Sequence, residues 1–144
     1  KIHQANEGCA CTMNSILKQF IKHLTVGENE VVLLDMEAGV EHFGRGVDNS
    51  VDLILMIVDP SFESLKLTKK IQQLGDSIGK TVFFVLNKVN ELVLPTMLES
   101  IDDQSKVLAV ISTDTEIARK GLVGDELMME IPEIHMLARK ILKQ

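Results

Sequence analysis

The chain has 144 residues, 45% of them hydrophobic, and a formal net charge of −6, so it is long enough for one compact domain with a core and too short for two ordinary domains. Its acidic balance and its lack of tryptophan and tyrosine argue against a nucleic-acid partner, which would need cations and stacking rings. No apolar run reaches the roughly 18 residues of a membrane span, so we expect no membrane partner. Two cysteines without a secretory leader favour a reducing compartment, and we expect a cytoplasmic location.

Apolar residues are spaced so as to predict helices and strands in alternation along the chain. Stripes of helical period predict four helices: 13–24, from Ser61 or Ser64 to Gly79, a weaker one over 91–101, and one from Pro132 towards the C-terminus. Short aliphatic runs predict four strands buried on both faces: 31–34, 53–58, 81–86 and 107–111. This alternation predicts a single α/β domain with a mostly parallel sheet flanked by helices.

A polar residue follows each aliphatic run: Asp35, Asp59, Asn87 and Ser112. Such residues are expected at the carboxyl edge of the sheet, where ligands of open parallel sheets bind. Asp35 followed by Gly39 recurs in nucleotide sites, because the acid can hold Mg²⁺ through water and the glycine lets an N–H approach a terminal phosphate. A turn cap and a simple bend explain these two residues equally well. Asn87, before Lys88, offers the donor and acceptor that match an adenine edge, but asparagine after a strand is also a common turn former.

Residues 75–81, Gly-Asp-Ser-Ile-Gly-Lys-Thr, look like a phosphate-binding loop. The run is one residue shorter than the G-x-x-x-x-G-K-[ST] motif, and it lies between a predicted helix and a predicted strand. The motif needs the opposite order, with a strand before the loop and a helix after it. We therefore interpret the run as the end of a helix and the start of a strand, and we expect no phosphate-cradling loop in 1–144.

Cys9 and Cys11 are the only cysteines, and one residue separates them. Two thiolates so close together can bind one soft metal ion from the same side, but a tetrahedral site needs about two more ligands. The start of a helix, which the apolar stripe predicts just after them, favours the thiolate form. The pair is therefore half of a metal site completed by a second copy of the chain, a redox pair, or an incidental pair of small hydrophobic residues.

Three segments together resemble one family: the cysteine pair, Asn87-Lys88-Val89, and the stretch 35–46, which reads Asp-Met-Glu-Ala-Gly-Val-Glu-His-Phe-Gly-Arg-Gly. The family is that of the CooC-type accessory ATPases of carbon monoxide dehydrogenase, the nickel-maturation branch of the MinD/ParA-like P-loop proteins. The resemblance implies a P-loop NTPase fold and an ATP- and Mg²⁺-dependent homodimer that delivers nickel to carbon monoxide dehydrogenase.

The same resemblance implies roles for individual residues. Cys9 and Cys11 would be the metal ligands, for nickel or for zinc, and the pairs of two subunits would complete a four-sulfur site. Asp35 would occupy the catalytic position, with Gly39 in the segment that responds to the terminal phosphate. Asn87 would recognise adenine beside Lys88, and the backbone of the loop after the fourth predicted strand would flank the base; that loop comprises Ser112, Thr113 and Asp114.

The chain departs from this family at its start, because the family's first strand and its glycine-rich phosphate loop would lie upstream of Lys1. We therefore expect 1–144 to be the C-terminal portion of such an ATPase domain, to be inactive in ATP hydrolysis as it stands, and to associate through unpaired strand edges. Two alternatives stay open: a MinD/ParA-like positioning ATPase without a metal role, and a reductase like the nitrogenase iron protein, with an iron–sulfur cluster held across a dimer.

Overall fold

The computed structural model describes residue 16 and residues 19–28, 30–36 and 50–143, which fall into two compact units, Lys1–Asp52 and Leu53–Gln144. In the first unit, residues 19–23 are helical and lie within the helix predicted over 13–24. None of the helices formed by the described residues is long and apolar enough to cross a membrane.

The strand predicted at 31–34 is wrong, because residues 31–36 pair with no strand in the described part of the chain. The side chains of Val31, Val32 and Leu33 are 55%, 46% and 82% exposed. A strand exists through its hydrogen bonds to a neighbouring strand. An aliphatic run shows that a segment is suited to such pairing, but it does not supply the partner.

The second unit contains a sheet of three parallel strands: β1 (Leu53–Val58), β2 (Thr81–Val89) and β3 (Val107–Ser112). Their order is β1-β2-β3, and β1 pairs with β2 in register from Leu53 opposite Thr81 to Val58 opposite Leu86. The α/β fold with a parallel sheet is thereby confirmed, as are the strand positions predicted for 53–58, 81–86 and 107–111. The central strand β2 continues three residues beyond its aliphatic run.

Helix α1 (Phe62–Ser77) connects β1 to β2, and helix α2 (Leu94–Glu99) with a 3₁₀ turn at Gln104–Lys106 connects β2 to β3. Helices α3 (Thr115–Val123) and α4 (Pro132–Ile141) follow β3. The Ser61 hydroxyl caps α1 by accepting a hydrogen bond from the Ser64 N–H, and Gly79, with φ 67°, lies in the turn after the helix. Gly75 lies inside α1 and Thr81 begins β2. The interpretation of 75–81 as a helix end followed by a strand start is therefore confirmed.

The helix α3 was not predicted from the sequence. Asp114 caps its start and Gly124, in the left-handed conformation with φ 73°, ends it. Helix α3 has no buried residue, and Leu122 and Val123 are 87% and 63% exposed. Since burial of an apolar face is what produces a helical stripe in a sequence, this helix carried a weak signal.

The core of the second unit is built around β2, whose inner residues are 0–2% exposed: Val82, Phe84, Val85 and Leu86. Helix α4 covers one side, where Leu137 packs in a cluster with Phe83, Val85 and Leu108. Burying each such side chain stabilises the fold by about 1.5–3 kcal/mol. The apolar residues of β2 are thereby fixed in the sheet, and the polar residues that follow them are placed at its carboxyl edge.

Candidate functional site

The carboxyl ends of β1, β2 and β3 lie along one edge of the sheet, because the three strands are parallel. Asp59 follows β1, Asn87 and Lys88 lie near the end of β2, and Ser112 ends β3. The pairing of Val58 with Leu86 places the next residues, Asp59 and Asn87, beside each other at this edge.

The carboxylate of Asp59 joins both polar residues of β2. Its Oδ1 accepts a hydrogen bond from Asn87 Nδ2 at 2.9 Å, and its Oδ2 accepts one from Lys88 Nζ at 2.5 Å. The Asp59 N–H donates to Ser64 Oγ in the first turn of α1 at 3.1 Å. We call Asp59, Asn87 and Lys88 the edge cluster. Asp59 ties this cluster to α1, and Asn87 and Lys88 belong to the central strand β2.

Two consecutive residues reach one carboxylate because β2 bulges at this point. Side chains of a regular strand alternate between the two faces of the sheet, so Asn87 and Lys88 would ordinarily point apart. Here they stand opposite a single residue of β3, Ile111, and Lys88 has φ 55°. Bulges redirect side chains and are common beside functional sites. The left-handed backbone of a non-glycine residue costs about 1–3 kcal/mol, so the surroundings must hold it in place.

The loop after β3 lies against the end of β2. The Thr113 N–H donates to the Val89 carbonyl oxygen at 2.8 Å, which continues the contact between the two strands past the bulge. Asp114 Oδ1 accepts hydrogen bonds from the N–H groups of Glu116 and Ile117 at 2.8 and 2.9 Å. Asp114 is therefore the N-cap of α3, which fixes the path of residues 112–114 along the sheet edge.

The residues predicted to bind a nucleotide or a metal ion fall into three groups. Asn87, Lys88 and residues 112–114 come together at the carboxyl ends of β2 and β3. Asp35 belongs to the first unit, where it is exposed. Cys9, Cys11 and Gly39 lie outside the described residues. Metal binding by the two cysteines therefore stays a prediction. Within the described part of the chain, no three His, Cys, Asp or Glu side chains form a group that could hold a metal ion.

Asp59 is the residue of the edge cluster that was given no role from the sequence. Its position after a buried strand was evident, and two strands that end in Asp and Asn could have suggested a contact between their final side chains. The contact of Lys88 with Asp59 could not be predicted in this way. It depends on a left-handed backbone at Lys88, and lysine is not a residue type that indicates such a conformation.

Comparison with known proteins identifies relatives, although no protein-family model matches the chain. The chain is 47% identical over 134 residues to the uncharacterized ATP-binding protein MJ0084 of Methanocaldococcus jannaschii. This alignment covers 93% of the chain and 53% of the relative. The chain is 32% identical over 132 residues to the uncharacterized ATP-binding protein MJ0823 of the same organism, covering 90% and 51%. It is 33% identical over 124 residues to the carbon monoxide dehydrogenase accessory protein CooC of Rhodospirillum rubrum, covering 85% and 47%.

The chain thus spans about half the length of the curated relatives it matches. Its parallel sheet with flanking helices is consistent with part of a P-loop NTPase domain. Over most of its own length, the chain is homologous to CooC and to ATP-binding proteins of M. jannaschii.

Proposed function

We propose that this chain supplies the base-binding part of an ATP site, at the sheet edge formed by the ends of β2 and β3. The observation that carries the proposal is the half-buried amide of Asn87 at the carboxyl edge of a parallel sheet, beside the loop 112–114. An amide presents a donor and an acceptor side by side, which match the amino group and a ring nitrogen of adenine. Relatives named as ATP-binding proteins support the same ligand.

The loop after β3 completes the proposed base site. Because Thr113 is hydrogen-bonded to Val89 and Asp114 is fixed as a helix cap, the backbone of 112–114 has a defined path next to Asn87. An adenine ring beside Asn87 would be flanked by this backbone. Asp114 serves the site through the position of the loop, since one of its carboxylate oxygens is already engaged by α3.

The test is ATP binding to the intact protein, measured by isothermal titration calorimetry with Asn87→Ala. Loss of hydrogen bonds to the base should weaken ATP binding roughly tenfold. Gln73→Ala is the matched control, because it removes an amide from an exposed position of α1 in the same unit. Equal ATP affinities of wild type, N87A and Q73A would contradict the proposal.

For the whole protein, we propose a role like that of CooC, as an ATP-dependent homodimer that supplies nickel to carbon monoxide dehydrogenase. Asp35 and Gly39 would respond to Mg²⁺ and the terminal phosphate. Cys9 and Cys11 would be the metal ligands, and two subunits would bring four sulfurs to one ion, an arrangement that suits zinc as well as nickel. Homology to an accessory protein of carbon monoxide dehydrogenase and the spacing of the two cysteines support this role.

Metal stoichiometry tests the second part of the proposal. Metal analysis of the intact protein should find one ion per two chains, and Cys9→Ser or Cys11→Ser should remove it. Light scattering on the same samples should give the mass of a dimer when metal is bound. One ion per chain, or metal retained by both serine variants, would show that the two pairs do not share an ion.

A further inference from the structure

We infer that Asp59 is a positioning residue that sets the orientation of the Asn87 amide and thereby the preference of the site for adenine over guanine. This inference rests on the proposed function, because it assumes that a purine base lies beside Asn87. It assigns a role in specificity to a side chain that would not itself touch the base.

The contact between Asp59 and Asn87 fixes which end of the amide faces the carboxylate. An ionised carboxylate only accepts hydrogen bonds, so the NH₂ group of Asn87 has to face Asp59 Oδ1, as it does at 2.9 Å. The amide oxygen must then face elsewhere. An asparagine without such a neighbour can exchange its oxygen and nitrogen by rotating about its last bond.

The carboxylate of Asp59 is itself held in place. Its backbone N–H is bonded to Ser64 Oγ in α1, and its second oxygen is bonded to Lys88 Nζ. With both neighbours in position, Oδ1 is the oxygen that meets Asn87. The bulge in β2 makes this arrangement possible, because it brings Asn87 and Lys88 to the same carboxylate.

A fixed amide distinguishes the two purines. The Asn87 nitrogen carries two hydrogens, and one of them remains for a ring nitrogen of the base when the other is bonded to Asp59. The amide oxygen can then accept from the amino group of adenine. Guanine carries a carbonyl oxygen at the same ring position, so two acceptors would meet, and the amide cannot turn over without losing Asp59. We expect a preference for ATP over GTP on the order of tenfold from this element.

The experiment compares ATP and GTP affinities of the intact protein with those of Asp59→Asn, by isothermal titration calorimetry. Asparagine has the same shape, but it can accept from or donate to Asn87 and so allows both amide orientations. The ratio of GTP to ATP dissociation constants should fall about tenfold. The loss of one negative charge at this position acts alike on the triphosphates of ATP and GTP, so its effect cancels in the ratio.

Asp76→Asn is the matched control, because Asp76 Oδ1 accepts a hydrogen bond from the amide of Gln72 at 2.8 Å on the exposed surface of α1. Like D59N, D76N removes one negative charge and alters a contact between an aspartate and a side-chain amide. It should leave the ratio of GTP to ATP dissociation constants unchanged. Asp59→Glu, which keeps an acceptor-only carboxylate, should retain more of the ratio than D59N. A ratio that is unchanged in D59N, or lowered equally in D76N, would overturn the inference.

These outcomes are separable from a failure of the proposed function. If N87A weakens ATP binding while D59N leaves the ratio unchanged, the base site stands and the role of Asp59 falls. If N87A has no effect on ATP binding, the base site itself is wrong. Should D59N fail to fold, NMR of the wild type gives the answer: a scalar coupling across the hydrogen bond should join Asn87 Nδ2 to the carboxylate carbon of Asp59 in the ATP complex, and its absence would overturn the inference.

Discussion

Replacing Gly75 with alanine is a substitution whose effect follows closely from the packing of α1 on β2. A Cβ at this position would lie 2.3 Å from Val82 Cγ2 and 3.1 Å from the carbonyl oxygen of Lys80. Val82 is fully buried, and its β-branched side chain has few alternative rotamers. The added methyl group therefore has to move α1 away from β2.

Two opposing effects set the size of the loss. Overpacking a core costs about 1–3 kcal/mol, and alanine in place of glycine inside a helix contributes about 1 kcal/mol in the other direction. We therefore expect G75A to lower the free energy of unfolding by about 1 kcal/mol and the melting temperature by roughly 3 °C. Urea unfolding followed by circular dichroism measures the first quantity, and a thermal scan measures the second.

The chain offers a matched control for this substitution at Gly121 in α3, where a Cβ would meet no atom within 4 Å. G121A should therefore gain about 0.5–1 kcal/mol from helix propensity alone. The double variant G75A/V82A should be about 1 kcal/mol more stable than the sum of its single effects, because V82A removes the clashing methyl groups. A G75A protein as stable as G121A would refute the packing argument. Loss of ATP binding in G75A at unchanged stability would instead point to a phosphate-binding role for residues 75–81.

Three further predictions concern local structure. Lys88→Gly should be more stable than Lys88→Ala by about 1 kcal/mol in urea unfolding, because both lose the ion pair and only glycine relieves the left-handed backbone; equal stabilities would contradict this. Asp114→Ala should cost about 1 kcal/mol and Asp114→Asn much less, because asparagine also caps helices. Hydrogen bonds from the Ser105 hydroxyl and N–H hold the pKa of Asp103 below its ordinary value of 3.8. Its stabilising contribution is therefore present above that value and lost as the pH falls through the lowered pKa, and NMR titration of wild type and S105A should show the higher pKa in S105A.

The sequence was informative about the fold wherever burial produced a pattern. The run at 81–86 is aliphatic because the central strand is buried, whereas the strands at 53–58 and 107–111 each have one buried residue and are otherwise half-buried or exposed. The alternation of the three runs with helices indicated parallel strands. The helix α3 escaped prediction because none of its residues is buried. The strand predicted at 31–34 failed for the opposite reason, since an apolar run does not reveal whether another segment pairs with it.

At the candidate site, the sequence indicated the residues but not their arrangement. Asn87 and the loop 112–114 could be placed at the sheet edge because parallel strands end on the same side. The bulge at Asn87 and Lys88 depends on a backbone conformation that lysine rarely adopts, so local sequence could not reveal it. The link through Asp59 depends on the register of two strands that are far apart in the chain. The specificity proposed for the site rests on that link.

The central claim is that an adenine base binds beside Asn87 at the carboxyl edge of the sheet. Photocrosslinking of the intact protein with 8-azido-ATP, followed by peptide mapping, tests it most directly. The label should be found near Asn87 or in the loop 112–114, and excess unlabelled ATP should suppress it. Suppressible labelling confined to segments away from these ends of β2 and β3 would contradict the claim.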